Sequence, residues 1–368
     1  MSGYFAKSNY QRPMHIGNRN SIPSTARESR PRGVCAAFHV STQGNRLLLS
    51  CAALVLALGE ISCGFAAEAA YPQRPIRFLI PQSPGGASDT VGRIVARKLG
   101  ENLGQQLVVD NRPGATGNIG AEMVARATPD GYTMLLTAPN LVTSPSLYPR
   151  VPFDPIKDFA PVSQLAQSPN VWIVHPSFAG RTMKELIEIV RGKPGQIDFS
   201  SSGLASTQHL AGELLNVMAG IRLVHVPYKG GGPALIDLMG GRVPVMVSSL
   251  PSAIPHIKAG KVRALAVTSA KRSSAMPELS TVAEAAGFPG YEAITWQGLV
   301  FPAATPKPIV GRMSAETIKV LAMSEVRERL RDLGYEPVAS TPEQFAGYIR
   351  AELDKWTKVI RAAGIKLE

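Results

Sequence analysis

Cysteine is missing from most of this 368-residue chain. Its three cysteines, Cys35, Cys51 and Cys63, all lie in the first 70 residues. Residues 71–368 therefore contain no disulfide and no cysteine metal site. The apolar fraction of 45% is ample for packed cores, and the length favours two globular lobes.

Motifs for catalysis and cofactor binding are also missing. The sequence has no GxSxG elbow, no HExxH pair and no Gly-Lys-Ser/Thr ending of a P-loop, and its histidines form no pair at metal spacing. A hydrolase triad of Asp89, His209 and Ser202 is a remote alternative, because nothing local places a nucleophile beside a base. We therefore expect no catalytic residue, no metal and no cofactor.

The N-terminal segment has the order of a secretory signal peptide. Arg46 precedes the apolar residues 47–58, and small residues follow with an Ala-Glu-Ala cleavage signature at 67–69. This apolar run is shorter than the ~20 residues that span a bilayer. Residues 1–69 are therefore expected to be a leader and signal peptide, which would place the remainder in the periplasm.

Charge points to a small anionic partner. The first 70 residues hold 7 Lys/Arg and 3 Asp/Glu of the chain's 39 and 27, so the remainder keeps a basic excess of about 8. These basic residues are spread out and do not alternate with aromatic residues, which disfavours nucleic acid.

Short apolar runs alternate with helical patterns from residue 76 onward, which is typical of βαβ units and parallel sheets. Predicted strands cover residues 76–80, 106–110, 132–137, 171–175, 197–199, 223–227, 243–248, 262–268 and 294–301. Predicted helices cover residues 91–103, 118–126, 183–191, 207–218, 233–239, 252–259, 308–323, 325–333 and 342–363. A Pro-rich connection at 145–161 separates two lobes, and the tail is expected to return to the first. The predicted lobes are residues 70–170 plus 297–368, and residues 171–296.

Three glycine-rich or serine-rich turns each join a strand to a helix. They cover residues 81–89, 200–209 and 228–234. A helix start has N–H groups without intrahelical acceptors and a positive macrodipole, which favours a carboxylate or phosphate by ~0.3–1 kcal/mol from the dipole alone. For one isolated turn, capping of the helix by Ser88 or Asp89 is the simpler explanation. Residues 114–120 match a dinucleotide fingerprint only loosely and indicate a helix start.

The order of several short segments resembles the Bug family, the extracytoplasmic receptors of tripartite tricarboxylate transporters. The resemblance runs from Tyr71 to Glu368. The segments that carry it include Pro84-Gly85-Gly86 with Asp89, Asp110-Asn111-Arg112-Pro113-Gly114, Pro129-Asp130-Gly131-Tyr132-Thr133, His225-Val226-Pro227-Tyr228-Lys229-Gly230 and Lys355-Trp356.

This resemblance implies an α/β, two-lobed Venus flytrap fold, with a mainly parallel sheet flanked by helices in each lobe. It also implies that loops 83–89 and 201–207 hold a ligand carboxylate, partly through ordered water. We expect backbone N–H groups near Gly86, Ser206 and Thr207 to hold the carboxylate, and Asp89 to orient an amine, hydroxyl or water. The expected ligand-binding residues are Gln82, Ser83, Gly85, Gly86, Ser88, Asp89, Thr137, Asn140, Ser202, Gly203, Ala205, Ser206, Thr207 and Tyr228.

Two departures from the family pattern affect expected ligand-binding residues, so the resemblance does not identify the ligand. Gln82 stands where an aromatic residue is common, and Ala205 stands where glycine is common. The expected ligand is a di- or tricarboxylate, an acidic amino acid or an aromatic acid. The expected partners are the membrane permease subunits of a tripartite transporter or, alternatively, a sensor kinase. The receptor is expected to act as a monomer without nucleic acid.

Overall fold

The computed structural model describes residues 71–367, so the predicted leader and signal peptide lie outside the described residues. The strands are β1 Ile76–Ile80, β2 Leu107–Asn111, β3 Thr133–Thr137, β4 Phe159–Val174, β5 Asp198–Ser201, β6 Val224–Pro227, β7 Val245–Ser249, β8 Arg263–Val267, β9 Ile294–Pro302 and β10 Glu336–Pro337. The helices are α1 Ala87–Leu103, α2 Asn118–Ala125, α3 Asn140–Leu147, α4 Met183–Gly192, α5 Thr207–Ala219, α6 Gly231–Met239, α7 Leu250–Lys258, α8 Val282–Ala286, α9 Lys307–Ala322, α10 Ser324–Asp332 and α11 Pro342–Ala363.

The strands follow the order β2-β1-β3-β9-β4-β7-β5-β6, with β8 and β10 also paired to β4. On the first side, β1 runs parallel to β2 and β3, and helix α1 covers them with its apolar face. Val91, Val95 and Leu99 are fully buried there against Phe78 and Ile80. A Cβ at Gly92 would lie 2.7 Å from Ile80 Cδ1, so glycine lets α1 pack closely on β1.

On the second side, β5 runs parallel to β6 and β7. Trp172 of β4 and Phe199 of β5 are fully buried, with ring centroids 6.1 Å apart. Glycine allows α5 to reach this core, because a Cβ at Gly212 would lie 2.2 Å from the Phe199 ring.

The two sides share the long strand β4. Its residues 159–169 pair with β9, and its residues 170–174 pair with β7 and β8, in each case antiparallel. The two-lobed α/β fold is confirmed, but the expectation of mainly parallel sheets holds only for β1–β3 and for β5–β7. Antiparallel pairs appear because the chain crosses between the sides along β4 and returns along β9. The predicted lobe boundaries stay a prediction.

Two helices were not predicted from the sequence. Helix α3 contains Pro145 and several small polar residues, and α8 is only five residues long, so neither shows a clear 3.6-residue period. Strand β4 also begins inside the predicted Pro-rich connection, since its residues 159–161 already pair with β9.

The C-terminal helix α11 has the bounds that its sequence pattern predicts. A capping box between Thr341 and Gln344 begins it, and Gly364 with φ 66° ends it. It contacts α3, β4 and α5. Its buried Glu352 accepts hydrogen bonds from the indoles of Trp296 and Trp356, which ties the helix to β9.

Neither a membrane span nor a metal cluster is found between residues 71 and 367. No helix in this range is both long and apolar enough to cross a bilayer. The same residues contain no group of three or more His, Cys, Asp or Glu side chains arranged to hold a metal ion.

Candidate functional site

The loop after β1 is organised around Asp89. Its carboxylate is 3% exposed and accepts hydrogen bonds from Gly85 N, Arg93 Nε and Asn111 Nδ2, each at 2.9 Å. Asn111 Nδ2 also donates to Gln82 O at 3.0 Å. A positive φ of 80° at Gly85 permits the turn that brings its N–H back to Asp89. The Asp89 carboxylate therefore fixes the conformation of the loop, and both of its oxygens accept hydrogen bonds.

Asp89 is ionised at neutral pH. Burial raises the pKa of its carboxyl, but the hydrogen bonds from Arg93, Gly85 and Asn111 outweigh burial and leave the pKa lowered. The Arg93 side chain is half exposed, so this ion pair has one buried and one solvated partner.

The start of α1 is open to an anion. Its N-cap is Gly86, which has no side chain to cap the first N–H groups. Gly86 N itself donates to Ser83 O at 3.4 Å, so the donors without intrahelical acceptors belong to the first turn of the helix rather than to Gly86. Gln82 is half-buried, and its Oε1 is buried without a hydrogen-bond partner among the described residues.

A second loop of the first side lies next to this one. Residues 114–117 all have positive φ, including Thr116 at 56°, an unusual value for a β-branched residue. Thr116 Oγ1 lies 2.6 Å from Tyr148 OH, and Thr116 O accepts from Asn140 Nδ2 at 2.8 Å. A Cβ at Gly117 would lie 3.3 Å from Pro81 Cβ, so this loop packs on the residue that follows β1. Backbone strain of this kind persists where the surroundings require it, often at binding sites.

The loop after β5 is organised by Ser206. Its hydroxyl donates to Gly203 O at 2.7 Å and accepts from His209 N at 3.2 Å, which caps α5. Ser206 N donates to Gly203 O at 3.2 Å, so the open donors are those of Thr207 and Gln208 in the first turn. Ala205 has a φ of 59°, the left-handed conformation that glycine adopts more easily.

Two stacked histidines support this loop. The rings of His209 and His225 lie 3.6 Å apart and 15° from parallel. His209 Nδ1 accepts from Ala205 N at 3.0 Å, and His225 Nε2 lies 2.7 Å from Ser201 Oγ. Burial, and then the neighbouring His209, lower the pKa of His225 to about 3, so its ring is neutral at pH 7.

The third predicted loop abuts the second. Gly230 N donates to Ser202 O at 2.9 Å, and Tyr228 O lies 3.1 Å from the position of a Cβ at Gly203. The Tyr228 hydroxyl donates to Asp237 Oδ2 at 2.7 Å. Burial, and then this contact with Asp237, raise the Tyr228 pKa. The Tyr228 backbone therefore packs against the second loop, and its hydroxyl is hydrogen-bonded to Asp237 of α6.

Strand β9 is bordered by residues from both sides of the molecule. Thr137, which is buried at the end of β3, is in register with Gly298. Three residues earlier on the same strand, Thr295 Oγ1 lies 3.0 Å from Thr207 Oγ1. At about 3.3 Å per residue, the two contacts are about 10 Å apart along β9. Residues from both predicted lobes thus border one short stretch of strand.

Sequence reasoning missed the residues that position the loops. Asn111, Thr116, His225 and Thr295 make the contacts described above, yet none of them was predicted as a site residue. Of these residues, Asn111 could have been found from the sequence. It ends a strand parallel to β1, and the carboxyl ends of parallel strands meet at one edge of a sheet.

A surface depression on the first side of the molecule is lined by none of the predicted ligand-binding residues. It has a volume of about 640 Å³ and lies between α1 and β2, lined in part by Arg97, Gly100 and Gln106. These three residues lie toward the amino end of β2, and although Arg93 also lines the depression, its Nε is engaged with Asp89. We therefore assign the candidate site to the loops.

Comparison with known proteins identifies the family. Residues 91–365 match the model of the tripartite tricarboxylate transporter family receptor. The chain is 35% identical over 323 residues to protein BugT of Bordetella pertussis, covering 87% of this chain and 98% of BugT.

Two solved structures with bound ligands are also similar to this chain. R. palustris Rpa4515 with adipate is 37% identical with a TM-score of 0.68, and covers 81% of this chain and 100% of its own. MatC of Rhodopseudomonas palustris with bound malate is 31% identical with a TM-score of 0.65, and covers 79% and 100%. The chain therefore belongs to the family of tripartite tricarboxylate transporter receptors, with Bug-type relatives, and is a periplasmic solute-binding receptor rather than an enzyme.

Proposed function

We propose that this receptor captures a small carboxylate between the loops after β1 and β5 and delivers it to the membrane permease subunits of a tripartite transporter. The observation that carries the proposal is the pair of helix starts whose first-turn N–H groups lack intrahelical acceptors: α5 contacts β9 through Thr207 and Thr295, and α1 follows β1, whose neighbour β3 pairs with β9. Their first-turn N–H groups and the positive ends of both macrodipoles suit one carboxylate. The adipate and malate bound by two similar receptors are carboxylates too.

Hydrogen bonding within the loops supports a preorganised site. Asp89 holds the first loop through three donors, and Ser206 with the histidine pair holds the second. Because these contacts hold each loop in place before a ligand binds, little ordering entropy remains to be lost on binding. In this arrangement Asp89 acts as a positioning residue.

Removal of one N–H donor tests the carboxylate site. Gly86 has φ −75° and ψ 168°, the extended conformation that a following proline requires, so Ala87→Pro fits the backbone at the first position of α1. The variant lacks one donor that faces the proposed ligand. A hydrogen bond to a charged group contributes ~1.5–3 kcal/mol, so affinity should fall about tenfold or more.

The matched control is Ser324→Pro. Ser324 is an exposed first residue of α10, and the preceding Met323 is extended at φ −64° and ψ 131°. Isothermal titration with succinate, malate, adipate, glutamate and benzoate measures the affinity of each variant, and succinamide serves as a neutral ligand. We expect the control to bind like wild type. Binding of succinamide but of no carboxylate would refute the proposal.

Delivery requires a separate test. Uptake of the identified carboxylate should need both this receptor and the two membrane subunits of the transporter. If uptake persisted without the receptor, while a sensor-kinase response to the same ligand disappeared, the alternative partner would replace the permease.

A further inference from the structure

Strand β2 forms one open edge of the sheet. Among residues 71–367 it pairs only with β1, in continuous parallel register. Two hydrogen bonds of 2.9 Å fix the direction of its backbone groups, because Ile76 N donates to Gln106 O and Arg112 N donates to Ile80 O. Since these groups alternate in direction along a strand, the even-numbered residues of β2 bond to β1. The residues that direct their N–H and C=O groups outward are Leu107, Val109 and Asn111.

This edge lacks the usual protection and borders an apolar surface. Natural edge strands are shielded by lysine, proline or a bulge, whereas β2 contains none of these, and its Val108 is 45% exposed. The depression of about 640 Å³ beside the edge is lined by Leu107 and Val109 of β2 and by Ala96 and Gly100 of α1. An added strand would therefore gain backbone hydrogen bonds to β2 and an apolar surface for every second side chain.

The opposite face of the edge carries excess positive charge. Arg77 of β1 is in register with Val108, so both side chains lie on the face away from α1. The Asp110 carboxylate on that face accepts from Arg77 Nε at 2.9 Å and from Arg77 Nη2 at 2.6 Å, and Arg112 Nε lies 2.9 Å from its other oxygen. Within residues 71–367, Asp110 is the ion-pair partner of both arginines. Two half-exposed guanidinium groups thus share one carboxylate, which leaves one positive charge in excess.

We propose that β2 is a docking edge for an extended segment of a partner protein in which apolar and acidic side chains alternate. The apolar side chains enter the depression beside α1, and the acidic side chains pair with Arg77 and Arg112 on the other face. A second copy of this chain fits less well, because pairing of β2 with itself would bring the positive excesses of both copies together. The docking edge is separate from ligand capture, so it stands whether or not the proposed function holds.

Amide hydrogen exchange, measured by NMR on receptor purified from the periplasm, tests the docking edge. The probe is the peptide acetyl-Thr-Val-Glu-Val-Glu-Val-Thr-amide, and the control peptide has lysine in place of both glutamates. At saturation the Glu peptide should slow exchange about tenfold or more at Leu107, Val109 and Asn111. Exchange at Val108 and Asp110 should stay unchanged, because their N–H groups already bond to β1. The Glu peptide should also bind about tenfold more tightly than the Lys peptide.

Two variants separate the backbone from the charge. Val109→Pro removes one outward N–H group and keeps the bonds of β2 to β1, since proline is tolerated on the open side of an edge strand, and it should abolish peptide binding. Arg112→Gln leaves the backbone intact and should weaken binding of the Glu peptide severalfold without affecting the Lys peptide. If Val109→Pro does not fold, Arg112→Gln still tests the edge. The matched control is Arg126→Gln, since Arg126 is an exposed arginine of similar pairing that lies next to α2, and this variant should bind like wild type.

Several results would overturn the docking edge. They are no binding at millimolar Glu peptide, equal binding of the two peptides, unchanged exchange at the three outward amides, and equal effects of Arg112→Gln and Arg126→Gln. Sedimentation equilibrium decides between a partner protein and a second copy. A wild-type dimer that Val109→Pro dissociates would make the second copy the occupant and would refute the acidic partner.

Discussion

Asp89→Asn tests whether the acidic residue of the first loop positions the loop or contacts the ligand. Asparagine keeps the shape of the side chain but removes its charge. The variant weakens the hydrogen bonds from Gly85 N and Arg93 Nε, and its amide group meets the amide of Asn111. The Arg93 side chain is 50% exposed and can be hydrated, which reduces the loss.

These contacts set the expected magnitude. A hydrogen bond to a charged group contributes ~1.5–3 kcal/mol, and discounting the half-exposed Arg93 leaves a loss of about 2 kcal/mol in the free energy of unfolding. For about 300 folded residues, an unfolding entropy of about 2.1 cal/mol/K per residue makes 1 kcal/mol correspond to about 1.6 °C in Tm. We therefore expect Tm to fall by about 3 °C, measured by circular dichroism at pH 7.5. Carboxylate affinity should fall severalfold because the loop is less ordered.

The lowered pKa of Asp89 predicts that the stability difference between wild type and this variant depends on pH. The folded-state pKa of Asp89 lies below its ordinary value of 3.8, so its contribution to stability is present above that value and is lost as pH falls through the folded-state pKa. The Tm difference between wild type and Asp89→Asn should therefore be full at neutral pH and shrink in acid.

Glu101→Gln is the matched control on the same helix. Glu101 is about half exposed and pairs with Arg97 and Lys98, and Lys98 keeps Glu325 as a second partner, so this replacement should leave Tm nearly unchanged. A variant at Asp89 that kept the wild-type Tm but lost all binding would refute the positioning role and favour direct contact with the ligand.

Two further predictions concern the second side of the molecule. The pKa of His225 is lowered to about 3 in the folded state, so the unfolded chain binds more protons between that pH and 6.5, and stability should fall as pH decreases through this range. Thermal melts from pH 7 to pH 4 should show a shallower slope for His225→Gln, and an identical slope would refute the assignment. Gly212→Ala would place a Cβ 2.2 Å from the Phe199 ring, so we expect a loss of about 2 kcal/mol or more from overpacking, measured by urea unfolding. Gly347→Ala, at an exposed and open position of α11, should instead be neutral or slightly stabilising, and equal behaviour of the two variants would contradict the packing argument.

Much of the secondary structure follows from local sequence patterns. The bounds of β1 and α11 match the predicted ranges, because strong apolar periods and caps mark them. The turns after β1 and β5 were also predicted as helix starts. This was possible because the turn preference of glycine and the capping preference of serine involve only residues close by in the sequence. Strand β4 was predicted only from residue 171, because its first part contains Pro161 and pairs with a strand more than 130 residues later.

The positioning contacts depend on tertiary structure. Asp89 was predicted as a ligand-facing residue by resemblance, but its partner Asn111 comes from the neighbouring strand, 22 residues away. Thr207 and Thr295 lie 88 residues apart in sequence and meet at one hydrogen bond. No local pattern specifies such pairs, because strand order decides which chain segments become neighbours.

The sequence by itself therefore determined the open helix starts, the alternation of strands and helices, and the resemblance to a receptor family. Only the tertiary structure decided that Thr137, at the end of β3, and Thr207, at the start of α5, border one stretch of β9. The physical reason is the range of the interactions. A helix start is fixed by residues within one turn, whereas a binding site is assembled by sheet pairings between distant segments.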